Sequence, residues 1–91
     1  MTTDHAQAVA LRAAAFIFSE DDLRDRFIAL SGAGVDDIRA RIGEQDFLAS
    51  LLEFLMGHEP DLMAFSSYAE EKPETIVKAW RALGGGEGQE W

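Results

Sequence analysis

Ninety-one residues, 47% of them hydrophobic and 27% charged, are enough for one domain with one core and leave no room for a second. The absence of cysteine excludes a disulfide scaffold, a thiolate nucleophile and a zinc–thiolate site. Eight basic residues against seventeen acidic ones give a net charge of −9, which disfavours contact with nucleic acid or an anionic membrane surface, since phosphate affinity comes from clustered Lys and Arg.

Apolar residues recur at helical spacing throughout, and no stretch alternates with period two, so the chain reads as all-α. Helix one is predicted from Asp4 to Phe18, with Asp4 and Gln7 placed as a capping box. Ala6, Val9, Ala10, Ala13, Phe16 and Ile17 form its main stripe. Leu11, Ala14, Ala15 and Phe18 make the opposite side apolar as well, which asks for several neighbours or a partner chain. Ser19 is the expected cap of helix two, which carries Glu20, Asp21 and Asp22 near its start, where the helix dipole favours anions. Its inward residues are Leu23, Phe27 and Leu30, with Arg24 and Arg26 on the outside or flank, and Ser31-Gly32 stops it.

Helix three is expected from Asp36, as N-cap, to Ile42, with Val35, Ile38 and Ile42 inward, Arg39 and Arg41 pointing away and Gly43 closing it. Helix four, Gln45 to Met56, carries the strongest pattern: its apolar residues cover most of the circumference. Asp46, Ser50, Glu53 and Gly57 fall on one narrow polar stripe, so this helix is expected in the middle of the bundle with one wet edge. Pro60 opens helix five, which runs to Glu70 with Leu62, Phe65 and Ala69 inward and Met63, Ser66 and Tyr68 flanking or partly exposed. Pro73 opens helix six, whose inner stripe is Ile76, Trp80 and Leu83. The short connections predict a compact orthogonal bundle of five to six short helices: residues 1–83 as one helical domain and 84–91 as a flexible Gly-rich tail.

Residues with catalytic or metal-binding chemistry are sparse. His58-Glu59 lacks the second His, one turn on, of a zinc-binding helix, and His58 reads as a solvated cap or linker residue. The acidic runs at 20–22 and 36–37 lack the spacing of a calcium loop. Ser50, Ser66 and Ser67 have no His base near them in sequence, and the glycines after helix six lack the Lys of a phosphate loop. No enzyme, no metal and no cofactor is expected. Residues 62–83 form a helix, a tight turn and a second helix. Lys72, Lys78 and Arg81 could meet phosphates there and Thr75 could reach a groove, which makes a helix-turn-helix-like DNA-binding protein the alternative reading. Glu70, Glu71 and Glu74 stand against it.

The charge distribution carries more than the total. Between Ile42 and Glu71 there are seven acids and no base, so −7 of the −9 lies in that block. Phe18, Met63, Tyr68, Val77 and Trp91 exceed what the inward stripes hold, an apolar surplus that is either scattered singly over the surface or gathered in a patch for a partner helix or a second copy of the chain. The candidate partner-binding residues are therefore Glu53, Glu59, Asp61, Met63, Tyr68, Glu70 and Trp80, on an acidic and partly apolar helical surface. The expected occupant is a protein partner or a second copy of the chain. Residues 1–5 lack the basic start of a secretion signal, and the longest apolar run, Val9–Phe18, contains Arg12 and is too short to span a bilayer, so a cytoplasmic protein is expected.

Four stretches together resemble a known family: Ala10-Leu11-Arg12-Ala13-Ala14-Ala15-Phe16, Arg26-Phe27-Ile28-Ala29-Leu30-Ser31-Gly32, Asp36-Asp37-Ile38-Arg39-Ala40 and Phe47-Leu48-Ala49-Ser50-Leu51-Leu52-Glu53-Phe54-Leu55. Their order and spacing are similar to those of short bacterial proteins grouped as domain of unknown function 3572, over about His5 to Gly84. The resemblance implies an all-helical, cytoplasmic, single-domain protein and brings no catalytic or binding residue with it. Residues 66–72 depart from the family's more Ala- and Gly-rich turn.

Overall fold

The computed structural model describes residues 1–32 and 34–85, with the backbone alone at position 35. Six helices follow one another among them: α1 Thr3–Ser19, α2 Asp21–Ser31, α3 Val35–Arg41, α4 Gln45–Met56, α5 Glu59–Ala69 and α6 Pro73–Ala82. The expected inward side chain of Val35, the surplus Trp91 and all of the expected tail beyond Gly85 lie outside the described residues. The molecule measures 30 × 26 × 25 Å. A helix of 17 residues such as α1 is about 26 Å long at about 1.5 Å per residue, so α1 alone spans most of the molecule.

Two helices share the centre. The sequence pattern places α4 in the middle, and its Phe47, Leu48, Ala49, Leu51, Leu52 and Leu55 are indeed buried. Asp46, Glu53 and Gly57 are exposed and Ser50 half-buried, which reproduces the predicted polar stripe. α1 is equally central, packing against α2, α4, α5 and α6. Ala6, Ala10 and Ala13 have no exposed surface, and short side chains let neighbouring helix axes come close. The expected all-round burial of α1 is corrected in part: Ala14 is buried and Phe18 half-buried, but Leu11 and Ala15 face solvent.

Phe65 of α5 is the largest fully buried side chain and meets Phe16 of α1, with ring centroids 5.6 Å apart. A second aromatic cluster surrounds Phe27 of α2, which stands edge-on to Phe18, Phe47 and Phe54 at 5.4–5.9 Å. Such perpendicular contacts add about 0.5–1.5 kcal/mol each beyond area burial. Ile76, Trp80 and Leu83 deliver the inner stripe of α6 as predicted, and Ala79 is buried with them.

Helix ends hold most of the differences from the sequence reading. Thr2, not Asp4, caps α1: its hydroxyl oxygen accepts from the His5 N–H at 3.2 Å, two residues before the predicted start. Ser19 does not cap α2. It stays in α1 and donates its hydroxyl to the Phe16 carbonyl at 2.9 Å, which leaves Glu20 at the junction. Asp36 does not cap α3, because that helix starts one residue earlier. The Asp37 carboxylate accepts from the Gly34 N–H at 3.3 Å instead. Gly32 ends α2 as predicted, in the left-handed conformation at φ 70°. Leu30 is the clearest correction: expected inside, it is 78% exposed, and Ile28, two positions earlier, packs against the core instead.

The ends of α5 and α6 share one device. After α6, Gly85 N–H bonds the Trp80 carbonyl at 2.8 Å and Gly84 N–H bonds the Arg81 carbonyl at 3.0 Å. After α5, Glu71 N–H bonds the Ser66 carbonyl at 3.0 Å and Glu70 N–H bonds the Ser67 carbonyl at 3.4 Å. Both are Schellman closures, which need a left-handed residue at the turn. α6 uses Gly84 at φ 95°, whereas α5 uses Glu70 at φ 54°. Gly84 and Gly85 therefore belong to the folded domain, not to a loose tail.

Candidate interaction surface

The seven candidate residues do not form one surface. Trp80 leaves the set: it is 8% exposed, and its indole lies under Gly85, where an added Cβ would sit 2.3 Å from the ring. A flat aromatic side chain on the inner stripe of α6 is core, and the backbone of the α6 cap covers its edge.

Asp61 is also spoken for. One of its carboxylate oxygens receives the Arg26 guanidinium from α2 and lies 2.9 Å from His58 Nδ1. Arg26 in addition lies over the Phe54 ring, 5.6 Å from its centroid. The guanidinium thus ties α2, α4 and α5 together, and its partner is half-buried. His58 occupies the N-cap position of α5, as a cap residue should, but its ring turns to Asp61 and not to the helix amides. Arg26 is exposed, in line with its expected place on the outside or flank of α2, but a linear pattern does not show which helix passes beside it.

Two further arginines reach the acidic block. Arg41 Nε donates to Glu44 at 3.1 Å while lying 5.3 Å from the Phe47 ring centroid. Arg12 lies 3.8 Å from Glu71 and donates to the Ala69 carbonyl at 3.3 Å, at the end of α5. A block with no base of its own is therefore met by bases from α1, α2 and α3. Asp46, Glu53, Glu59 and Glu70 remain exposed and without an ion pair among the described residues.

What survives divides in two. Glu59, Met63 and Glu70 lie on the outer face of α5, with Pro60, Ala64, Ser67 and Tyr68 beside them, all exposed. Met63 is 49% and Tyr68 53% exposed. The Tyr68 ring lies against Phe16 and Phe65 at 5.1 and 6.3 Å, so its orientation is set from below. Glu59 and Glu70 stand at opposite ends of the helix, roughly 16 Å apart at about 1.5 Å per residue, with no charge on this face between them.

Glu53 lies elsewhere, on the wet stripe of α4. There α2 and α4 leave an open groove of about 250 Å³, lined by Phe27, Leu30, Ser31, Ser50, Glu53 and Phe54. No sequence signal announced this groove, since it depends on Leu30 being out and on the spacing of two helices separated by α3.

Of the proposed DNA-contacting residues, Lys72, Lys78 and Arg81 are exposed and Thr75 is half-buried. Among the described residues no group of three His, Asp or Glu side chains is placed to hold a metal ion, and no polar side chain is buried. No helix among them is long and apolar enough to cross a membrane.

No curated protein and no solved structure matches the chain. A family described as "Protein of unknown function (DUF3572)" does match, over residues 3–86, which spans all six helices and both helix closures. The chain belongs to that family of proteins of unknown function.

Proposed function

We propose that this protein is a non-catalytic protein–protein interaction module, and that it docks a partner on the outer face of α5. The observation behind this reading is the composition of that face. A surface helix of a monomer normally carries charged residues on its solvent side. Here Pro60, Met63, Ala64, Ser67 and Tyr68 stand in that position, bounded by Glu59 and Glu70. Methionine and tyrosine are enriched where partners dock, because one adapts its shape and the other offers a rigid ring with a polar tip. The carboxylates at the two ends favour a partner with basic residues around an apolar centre.

Affinity capture from the source lysate at low salt tests the proposal. The chain should retain a discrete partner, and Met63→Ser with Tyr68→Ser should abolish its retention. Glu59→Lys with Glu70→Lys should weaken it. Undiminished capture by both double variants refutes the α5 docking face. A gel shift with duplex DNA at low salt distinguishes the helix-turn-helix reading, for which retention would be expected to fall steeply with added salt.

A further inference from the structure

We infer that the groove between α2 and α4 is a second docking site, which takes a helical segment of a partner protein carrying one large apolar side chain and an Arg or Lys one turn away. The inference rests on the reading of the chain as an interaction module but uses a different surface from α5.

The apolar half of the groove is built from Phe27, Phe54 and Leu30. Phe27 is 4% exposed and forms a floor held edge-on by three other phenylalanine rings, so the floor is rigid. Leu30 forms one wall and faces water over most of its surface. A leucine in that position gains from being covered, at roughly 25 cal/mol per Å² of apolar area removed from water. A space of about 250 Å³ accommodates a single Leu, Met or Phe side chain rather than a whole helix face.

The polar half selects the charge. Glu53 is exposed at the rim and has no ion pair among the described residues, while the other carboxylate near Phe54, Asp61, is already matched by Arg26 and His58. Ser50 donates its hydroxyl to the Phe47 carbonyl at 2.6 Å, so its oxygen lone pairs are what it offers an incoming group. Both groups accept hydrogen bonds, and one carries a full negative charge. The complement is a cationic donor. The chain's own Arg26 already lies over the Phe54 ring at the edge, which leaves Glu53 and Ser50 as the acceptors for an incoming cation. An anionic occupant would meet Glu53 directly, and a purely apolar one would strip water from that carboxylate without replacing it.

The test uses the full chain, labelled with ¹⁵N, and an Ala-based helical peptide about four turns long carrying Leu and Arg at i and i+4. A second peptide replaces the Arg by Glu. The first should give saturable amide shifts at residues 30–31 and 50–54, and Glu53→Lys should weaken it roughly tenfold, as expected for loss and reversal of one rim charge pair. Leu30→Ser should weaken it by a similar factor. Both substitutions are on exposed side chains, so the fold should persist, and circular dichroism confirms that before each titration.

Met63→Ser with Tyr68→Ser should leave peptide affinity unchanged, which separates this site from the α5 face. Equal binding of the Arg and Glu peptides, no saturable shift at millimolar peptide, or shifts confined to α5 would each overturn the inference. Concentration-dependent shifts at 30–31 and 50–54 without peptide would overturn it too, by assigning the groove to a second copy of the chain.

Discussion

Glu70→Gly should stabilise the protein. Glu70 closes α5 at φ 54° and ψ 41°, a conformation that costs a residue with a Cβ about 1–2 kcal/mol and glycine almost nothing. Against this, glycine gives the unfolded chain more freedom, which returns about 0.5–1 kcal/mol. The carboxylate lost has no ion pair among the described residues and is exposed, so its removal contributes little. Both backbone bonds of the closure, to the Ser66 and Ser67 carbonyls, involve N–H groups that glycine retains. The hydroxyl of Ser66 also reaches the Glu71 carbonyl, holding the turn shut independently of residue 70.

The net expectation is a gain of about 0.5–1 kcal/mol, or roughly 2–8 °C in Tm for a domain of this size. Urea unfolding followed by far-UV circular dichroism measures it as a rise in midpoint at constant slope. Ala64→Gly, on the exposed face of the same helix, is the control and should lose about 1 kcal/mol, because there glycine only weakens helix. If Glu70→Gly lowers the midpoint, the closure is not what sets the conformation of residue 70, and the reasoning fails.

Four further outcomes follow from the packing. Gly85→Ala forces a Cβ to within 2.3 Å of the Trp80 indole, so it should cost about 1–3 kcal/mol and alter the near-UV dichroism of that ring. Leu52→Asp places a carboxylate at a site with no exposed surface, where several kcal/mol set against a total of about 5–15 should abolish the helical far-UV signal. A double-mutant cycle on Arg26→Ala and Asp61→Ala should return a coupling of no more than about 1 kcal/mol, because the guanidinium stays wet. α3 has seven residues and contributes only Ile38 to the buried core among its described side chains, so its amides should exchange with solvent before those of α1 and α4.

The helices, their order and most of the core are legible in the linear chain. Apolar spacing placed the inner stripes of α4 and α6 and the wet stripe Asp46, Ser50, Glu53 and Gly57, and turn chemistry placed the stop at Gly32 and the start at Pro73, because each of these is a property of one helix or one turn. Cap assignments failed where two candidates competed within a turn: Thr2 against Asp4, and Gly34 with Asp37 against Asp36. There the winner depends on where the helix first packs, and periodicity does not resolve that.

What the surface carries depends on how the helices pack against one another. That packing moved Leu30 out and held Trp80 in the core. It matched Asp61 with an arginine thirty-five residues away and opened a groove between helices that are not consecutive. A local pattern states that a side chain faces outward; whether it then meets water, an opposite charge or another helix is fixed by three-dimensional neighbours that the linear order does not contain.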